Sequence, residues 1–310
     1  MIVHPDEVTP RQIDKLAEAG VNVLGIHSVG GTEANESLAS LVNSLKTDEF
    51  RSIIDYAVSK GLEVEYELHA AGYLLPRRLF DRHPEYFRID EKGKRTADWN
   101  FCVSHPDALA LFAKNAAKLA NSLYGSTDRF YFWLDDGWDT YCHCEKCSKL
   151  TPSDQQMIAV NAMIKEIKKQ KPGAKIAYLA YCNSMIPPST VAPDKDVFLE
   201  YAPFAKYTAS GDGAEKKIKQ ELDLLVPLLE LFGGDEAKIL EYWYDNSLFS
   251  GWKKPPQKFV LNERAMMSDI EAFKSLGFKN ISTFACFLGD DYVKLYGEPD
   301  FMPFGRCLNL

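Results

Sequence analysis

Apolar stretches rich in β-branched and aromatic residues recur along the chain, separated by longer segments in which apolar positions return every three or four residues. Eight stretches stand out: Met1 to His4, Val21 to Ser28, Leu62 to His69, Arg129 to Asp135, Lys175 to Tyr181, Val197 to Ala202, Lys238 to Tyr244 and Asn280 to Phe287. Their near-continuous hydrophobicity suits strands covered on both faces, and their alternation with helical segments marks βα units around a parallel sheet. The expected fold is a (β/α)8 barrel.

The helical segments carry start and stop signals. Thr9-Pro10 opens one that closes at Gly20, and Thr47-Asp48 opens one that closes at Gly61. Further helices are expected over about 106–123, 153–171, 214–232 and 262–276, with Ser153 and Gln156 as a capping box and Asn262 as a cap. Met185 to Pro193, with three prolines, reads as an irregular connection, and the barrel is expected to close without a full eighth helix. The connection from Ala70 through Cys102 is far too long for a turn, and long loops in compact domains are usually functional. Within it, Phe87 to Arg95 reads as a small hairpin turning near Lys92-Gly93. The expected organisation is one barrel domain over 1–310 with an insertion at about 70–105, after the third strand.

Composition agrees with this picture: 310 residues, 46% of them hydrophobic, bury a core large enough for a barrel of roughly 250 residues plus insertions. No apolar run approaches the roughly 20 residues that span a bilayer, and the first residues lack the basic and apolar regions of a signal peptide. A soluble, cytoplasmic protein is expected. The formal charge of -8 comes from dispersed acidic residues with no basic block, which argues against a nucleic-acid partner. Seven cysteines, three of them crowded at 142, 144 and 147, fit a reducing compartment with thiols free or metal-bound better than a disulfide framework.

Barrels of this type build their sites at the C-terminal strand ends, so polar residues ending an apolar strand are the candidates. His27 ends the second strand, Glu67 and His69 the third, and Asp135-Asp136-Gly137-Trp138 the fourth. Tyr181 and Asn183 follow the fifth, Glu200-Tyr201 end the sixth, and Glu241-Tyr242-Trp243-Tyr244-Asp245 the seventh. Carboxylates and aromatic rings on one rim suit sugar chemistry, because glycoside hydrolysis needs a proton donor and a nucleophile or base, and the rings offer apolar faces for stacking. Asp136 and Glu241 are expected to face each other across the mouth as the catalytic pair, with Asp135 as a further catalytic candidate, one Asp of the pair otherwise capping the turn. His27, Glu67, His69, Trp138, Tyr181, Asn183, Glu200, Tyr201, Trp243 and Asp245 are the candidate substrate contacts. Cys142, Cys144 and Cys147 offer three thiolates for a structural zinc, with Cys102 or His143 as fourth ligand; packed free thiols are the alternative. No organic cofactor is expected.

Trp133-Leu134-Asp135-Asp136-Gly137 followed by Tyr141-Cys142-His143-Cys144-Glu145-Lys146-Cys147 resembles a bacterial family of barrel domains related to glycoside hydrolases. His83-Pro84-Glu85-Tyr86-Phe87 with Gly93-Lys94-Arg95 looks like that family's insertion after strand three, and Asn100 to Pro106 like its entry to the next helix. The likeness is weaker around Tyr201-Ala202-Pro203 and Glu241 to Asp245. The resemblance implies a barrel related to endo-acting β-N-acetylglucosaminidases and, more remotely, to α-glucuronidases and β-hexosaminidases. The chain departs from many barrel glycosidases in offering Asp-Asp where they carry a strand-four Glu.

The leading expectation is hydrolysis of a glycosidic bond in an oligosaccharide or glycan, with Asp136 as acid and Glu241 as nucleophile or base. A substrate-assisted variant also fits the Asp pair: the sugar's acetamido group attacks, one Asp orients it and its neighbour donates the proton. The alternatives are a metal-dependent sugar isomerase or epimerase, with His27, Glu67, His69, Asp136, Glu200 and Glu241 supplying ligands, and a non-catalytic carbohydrate-binding barrel.

Overall fold

The computed structural model describes residues 1–211 and 213–308, so the last two positions of the expected domain lie outside the described residues. Eight parallel strands form one sheet in sequence order: β1 (Ile2–Val3), β2 (Val23–Ile26), β3 (Glu63–His69), β4 (Arg129–Trp133), β5 (Lys175–Ala180), β6 (Val197–Tyr201), β7 (Lys238–Glu241) and β8 (Asn280–Thr283). Just past β8, Phe284 bridges in parallel to Ile2, and the Ala285 amide donates to the Ile2 carbonyl at 2.7 Å, bringing the last strand to the first. Each expected strand is present, most of them trimmed by one to three residues at the ends. Among the described residues, no helix is long and apolar enough to cross a membrane.

Alternation along each strand sorts side chains between two apolar clusters. One fills the barrel, with Ile2, Tyr131, Trp133, Phe198, Leu240, Tyr242 and Phe284; the other lies between barrel and helices, with Val64, Tyr66, Leu68, Tyr201, Ile239 and Trp243 among its members. Gly25 shows how full the interior is, since a Cβ there would stand 2.6 Å from Ile2 Cγ1 and 3.0 Å from Glu67 Oε1.

The helices begin where side-chain caps satisfy their first amides. Thr9 accepts from the Gln12 amide, Thr47 from Phe50 and Asn262 from Ala265. The helix Pro152–Ile167 starts one residue before the expected Ser153, because Thr151 and Asp154 form the capping box. The segment expected as one helix over 214–232 is two, Ala214–Asp223 and Leu225–Phe232. Ala34–Ser44 is a helix absent from the sequence expectation; its Ser and Asn are weak helix formers, and burial of Leu38, Leu41 and Val42 supplies what propensity does not. Two short helices, Asp290–Tyr296 and Met302–Leu308, follow β8 in place of one full helix. The hairpin in the long connection is present as a short antiparallel bridge, Ile89 to Arg95, turning at Gly93.

Inside the barrel, beneath the mouth, the buried Lys238 ammonium lies 2.7 Å from Glu67 Oε1, 3.3 Å from Glu65 Oε2 and 3.6 Å from Glu200 Oε1, and over the Tyr131 ring. Burial works against its charge, yet Glu67 and the other neighbours hold its pKa well above the usual lysine range. Removing one partner of a buried ion cluster leaves uncompensated charge, worth about 3–5 kcal/mol. Lys238→Met is therefore expected to lower unfolding free energy by about that amount, measured by urea denaturation; a loss below about 1 kcal/mol would show that the cluster carries little of the fold.

Candidate functional site

The ends of β1, β2 and β3 each present an imidazole fixed by the same device. His4 Nδ1 lies 3.0 Å from the His27 carbonyl, His27 Nδ1 2.7 Å from the Glu67 carbonyl, and His69 Nδ1 2.7 Å from the Leu134 carbonyl. A carbonyl only accepts, so each Nδ1 donates, and Nε2 is the nitrogen left to accept when the ring is neutral. Burial, then the neighbouring His69 and His4, push the His27 pKa well below the ordinary imidazole value. The rings stand against Trp133 and Phe284, with His69 5.0 Å and His27 5.5 Å from Trp133 and His27 5.1 Å from Phe284, centroid to centroid.

Asp136, half-buried beyond the end of β4, joins this wall. Gly30 packs against both it and His69: a Cβ there would lie 3.3 Å from His69 Cδ2 and 3.8 Å from Asp136 Oδ2. On its other side the Asp136 charge bears on Tyr181, Cys182 and Tyr242. Burial first, and then Asp136 among the nearby groups, raises all three, the Cys182 thiol to about 12. Asp135 turns away from its neighbour. Its carboxylate pairs with Arg77, its amide donates to Asn100 Oδ1 at 2.9 Å, and it lines a cavity of about 50 Å³ shared with His69, Tyr181 and Asn183. Burial raises its pKa although Arg77 opposes the shift. Among the described residues, the non-glycine residues with positive φ all follow the C-terminal end of a strand: Asp139 (53°) after β4, Cys182 (46°) after β5, Trp252 (54°) after β7 and Phe287 (63°) after β8. Such costly conformations cluster at functional sites.

Not every expected contact reaches the mouth. Lys238, Leu240 and Tyr242 point into the barrel, so Glu241 and Trp243 point to the helices. Glu241 is fully buried there, 2.6 Å from Lys206 Nζ and accepting from the Tyr207 hydroxyl at 2.8 Å, while Lys206 and the Trp243 indole both reach Asp269. The expectation that Glu241 faces Asp136 across the mouth is corrected by that one-residue parity. Tyr201 also points outward, its hydroxyl donating to the Glu221 carbonyl. Glu67 and Glu200 point inward but lie below the mouth, held by Lys238, with Glu200 also accepting from the Trp133 indole at 2.7 Å. Asp245 is spent largely as a cap, accepting from the amides of Ser247 and Leu248. Asn183 donates to the Gly137 carbonyl, and Trp138 stands 73% exposed on the rim. His4, before Pro5 at the end of an apolar stretch, is not among the expected contacts although its place carries the same signal as His27 and His69. Arg77 and Asn100 also join the site, and no periodicity in the sequence places them beside β4.

The cysteines do converge. The sulfurs of Cys102, Cys142, Cys144 and Cys147 all lie within 4.8 Å of one another and could hold a metal ion. Cys102 is 3.6 Å from Cys144 and 3.9 Å from Cys147, close to the sulfur–sulfur edge of about 3.8 Å that a tetrahedron with bonds of about 2.3 Å requires. Amides of Ile89 and Cys144 point at Cys142 Sγ and that of Cys147 at Cys144 Sγ, as donors that stabilise thiolates. His143 turns away, its Nε2 2.8 Å from Asp139. Cys102 ends the insertion after β3 and the other three follow Asp136, so the cluster joins the two loops. Gln155 fastens the loop after β4 to the helix Pro152–Ile167 by bonding the Cys142 amide and the Cys142 and Cys147 carbonyls.

A family model described as "Domain of unknown function (DUF4838)" matches residues 41–223. No curated protein matches the sequence. Among solved structures, the chain resembles a β-galactosidase from the psychrophilic Marinomonas ef1 (12% identity, TM-score 0.56, covering 91% of this chain and 53% of that one). It also resembles a cold-adapted β-galactosidase from Rahnella sp. R3 (15%, TM-score 0.55, 91% and 49%). A third neighbour is ZgEngAGH5_4 in complex with a cellotriose (12%, TM-score 0.52, 97% and 87%). The chain thus spans about half the length of the two galactosidases, and at these identities the likeness shows the barrel fold alone.

Burial raises the Glu241 pKa from 4.5 to about 7 although Lys206 opposes the shift. The folded state therefore holds this proton more tightly than the unfolded chain, and its contribution is full below about 4.5 and lost as pH rises through about 7. Relative to Glu241→Gln, the wild type should lose on the order of 3 kcal/mol between those limits, read from urea denaturation across the range. A difference that does not change with pH contradicts the assignment.

Proposed function

The chain belongs to the DUF4838 family of domains of unknown function, and from that premise we propose that it cleaves glycosidic bonds, with Asp136 as the proton donor. The observation that carries this reading is the setting of Asp136: a half-buried carboxylate beyond β4, beside His69 and near Tyr181 and Tyr242, at a mouth walled by Trp133 and Phe284. Aromatic faces and neutral hydrogen-bonding groups around one acid suit a sugar ring at its anomeric carbon. That the barrel neighbours include β-galactosidases and a protein bound to cellotriose adds support at the level of architecture.

The substrate-assisted form fits better than a carboxylate pair, because Glu241 faces the helices. The acetamido oxygen of a 2-acetamido sugar attacks C1, the bond from C1 to the leaving oxygen breaks, and Asp136 protonates that oxygen. Water then adds at C1, losing its proton to Asp136, and the acetamido group is restored. Asp135, its orientation set by Arg77 and Asn100, holds the acetamido N–H. His27, His69, Tyr181 and Asn183 contact the sugar, with Trp138 stacking at the rim. This is the chemistry that the likeness to endo-acting β-N-acetylglucosaminidases suggests. A metal-dependent isomerase is less well supported: among the described residues, the His, Cys, Asp and Glu side chains at ligand spacing are the four cysteines.

Residues 1–310 act in this reading as one barrel, with the insertion at 70–105 completing the rim. The four thiolates hold a structural zinc that ties the insertion to the β4 loop. Seven cysteines without a disulfide fit a reducing compartment such as the cytoplasm.

Two measurements test these proposals. Asp136→Asn should reduce kcat on an aryl 2-acetamido-2-deoxy-β-glucoside by on the order of a hundredfold to ten-thousandfold, while the matching aryl glucoside without the acetamido group should be cleaved poorly by either protein. Full activity in the variant, or binding without turnover in the wild type, rejects the assignment. Metal analysis should find about one zinc per chain, lost in Cys102→Ser together with thermal stability; a metal-free protein of unchanged stability means packed thiols.

A further inference from the structure

The three imidazoles at the ends of β1, β2 and β3 have a property that the cleavage reading does not use. Each is at least nine-tenths buried, with relative exposures of 8% for His4, 6% for His27 and 8% for His69. Each commits Nδ1–H to a backbone carbonyl, and none of the three Nε2 atoms has a protein hydrogen-bond partner among the described residues. Adjacent rings stand 5.8 Å apart, His4 to His27 and His27 to His69. The result is a row of three nitrogen acceptors along one side of the barrel, spaced by the strands themselves.

We propose that His4, His27 and His69 form a strip that reads the hydroxyl hydrogens of an uncharged sugar and rejects sugar acids. The inference rests on the reading that the mouth takes a carbohydrate, and it narrows the class. An acceptor-only row needs donors from its ligand, which hydroxyl groups supply and a carboxylate does not. The charges beside the row have the same sign as a sugar acid: Asp136 stands next to His69, and Asp245 lies within electrostatic reach of His4. The nearby cations are already committed, Arg77 to Asp135, Lys206 to Glu241 and Asp269, and Lys254 to Asp6 and Asp291 at 3.1 Å each. A uronic acid would therefore bring a carboxylate to acceptor nitrogens and to Asp136 and Asp245, while Arg77, Lys206 and Lys254 are already paired. His4 is thereby a binding residue on the same footing as His27 and His69.

The test is ¹⁵N-histidine NMR of the intact protein, which reads protonation at each ring nitrogen, during titration with N-acetylglucosamine and separately with glucuronate. The row should show three unprotonated Nε2 resonances that move with the neutral sugar and stay put with the acid. His4→Phe should weaken N-acetylglucosamine binding by about three- to tenfold, and His4→Gln, which keeps an acceptor, should weaken it less. Protonated Nε2, resonances that respond to a chelator, an equal response to glucuronate, or no response to either sugar would each overturn the proposal. Turnover of an aryl glycoside with unmoved imidazoles sinks the strip and leaves hydrolysis standing; moved imidazoles without turnover do the reverse.

Discussion

The mouth of this barrel stands on one buried ammonium group. Lys238 sits among Glu65, Glu67 and Glu200 in a low-dielectric interior, where desolvation is costly and mutual attraction must offset it. Burial pushes Glu67 and Glu200 up, and each leaves one oxygen without a hydrogen-bond partner, as expected where protons are shared across a crowded cluster. The cluster ties β7 to β3 and β6 across the interior. Two lines of contact climb from it to the rim. Glu200 accepts from the Trp133 indole, whose ring packs on His27 and His69, and Glu67, through its own carbonyl, fixes the His27 ring.

Above that floor the rim is organised by loops rather than strands. The insertion after β3 supplies Arg77, Asn100 and Cys102, and the segment after β4 supplies Asp135, Asp136 and the remaining cysteines. Arg88, from the insertion, donates to the carbonyls of Asp139 and Tyr141 and pairs with Asp98. Two segments more than 30 residues apart in sequence are thus linked by the Arg88 guanidinium and brought together at the four cysteines.

The barrel was legible because eight near-continuous apolar stretches leave few other arrangements, and the rim followed from where those stretches end. The weakness of that reading lay in parity. Glu241, Trp243 and Tyr201 sit at strand ends as expected, but alternate residues face opposite sides, and only the ring of partners shows which side is which. Glu67 and Glu200 passed the parity test and failed on depth, lying one layer too low. The cysteine cluster was visible as a local spacing, yet Cys102 came from 40 residues upstream, a distance that spacing alone does not bridge. His4 was missed for a simpler reason: the stretch it ends is the shortest of the eight.

Parity also limits what this sequence can become by small insertions and deletions. A one-residue slip of the whole of β7 would swing the Glu241 carboxylate toward the mouth, where a second acid could serve. The same slip would turn Lys238 out of the interior and strand three carboxylates there. A slip of the whole strand therefore cannot bring a second acid to the mouth without leaving Glu65, Glu67 and Glu200 unpaired in the interior.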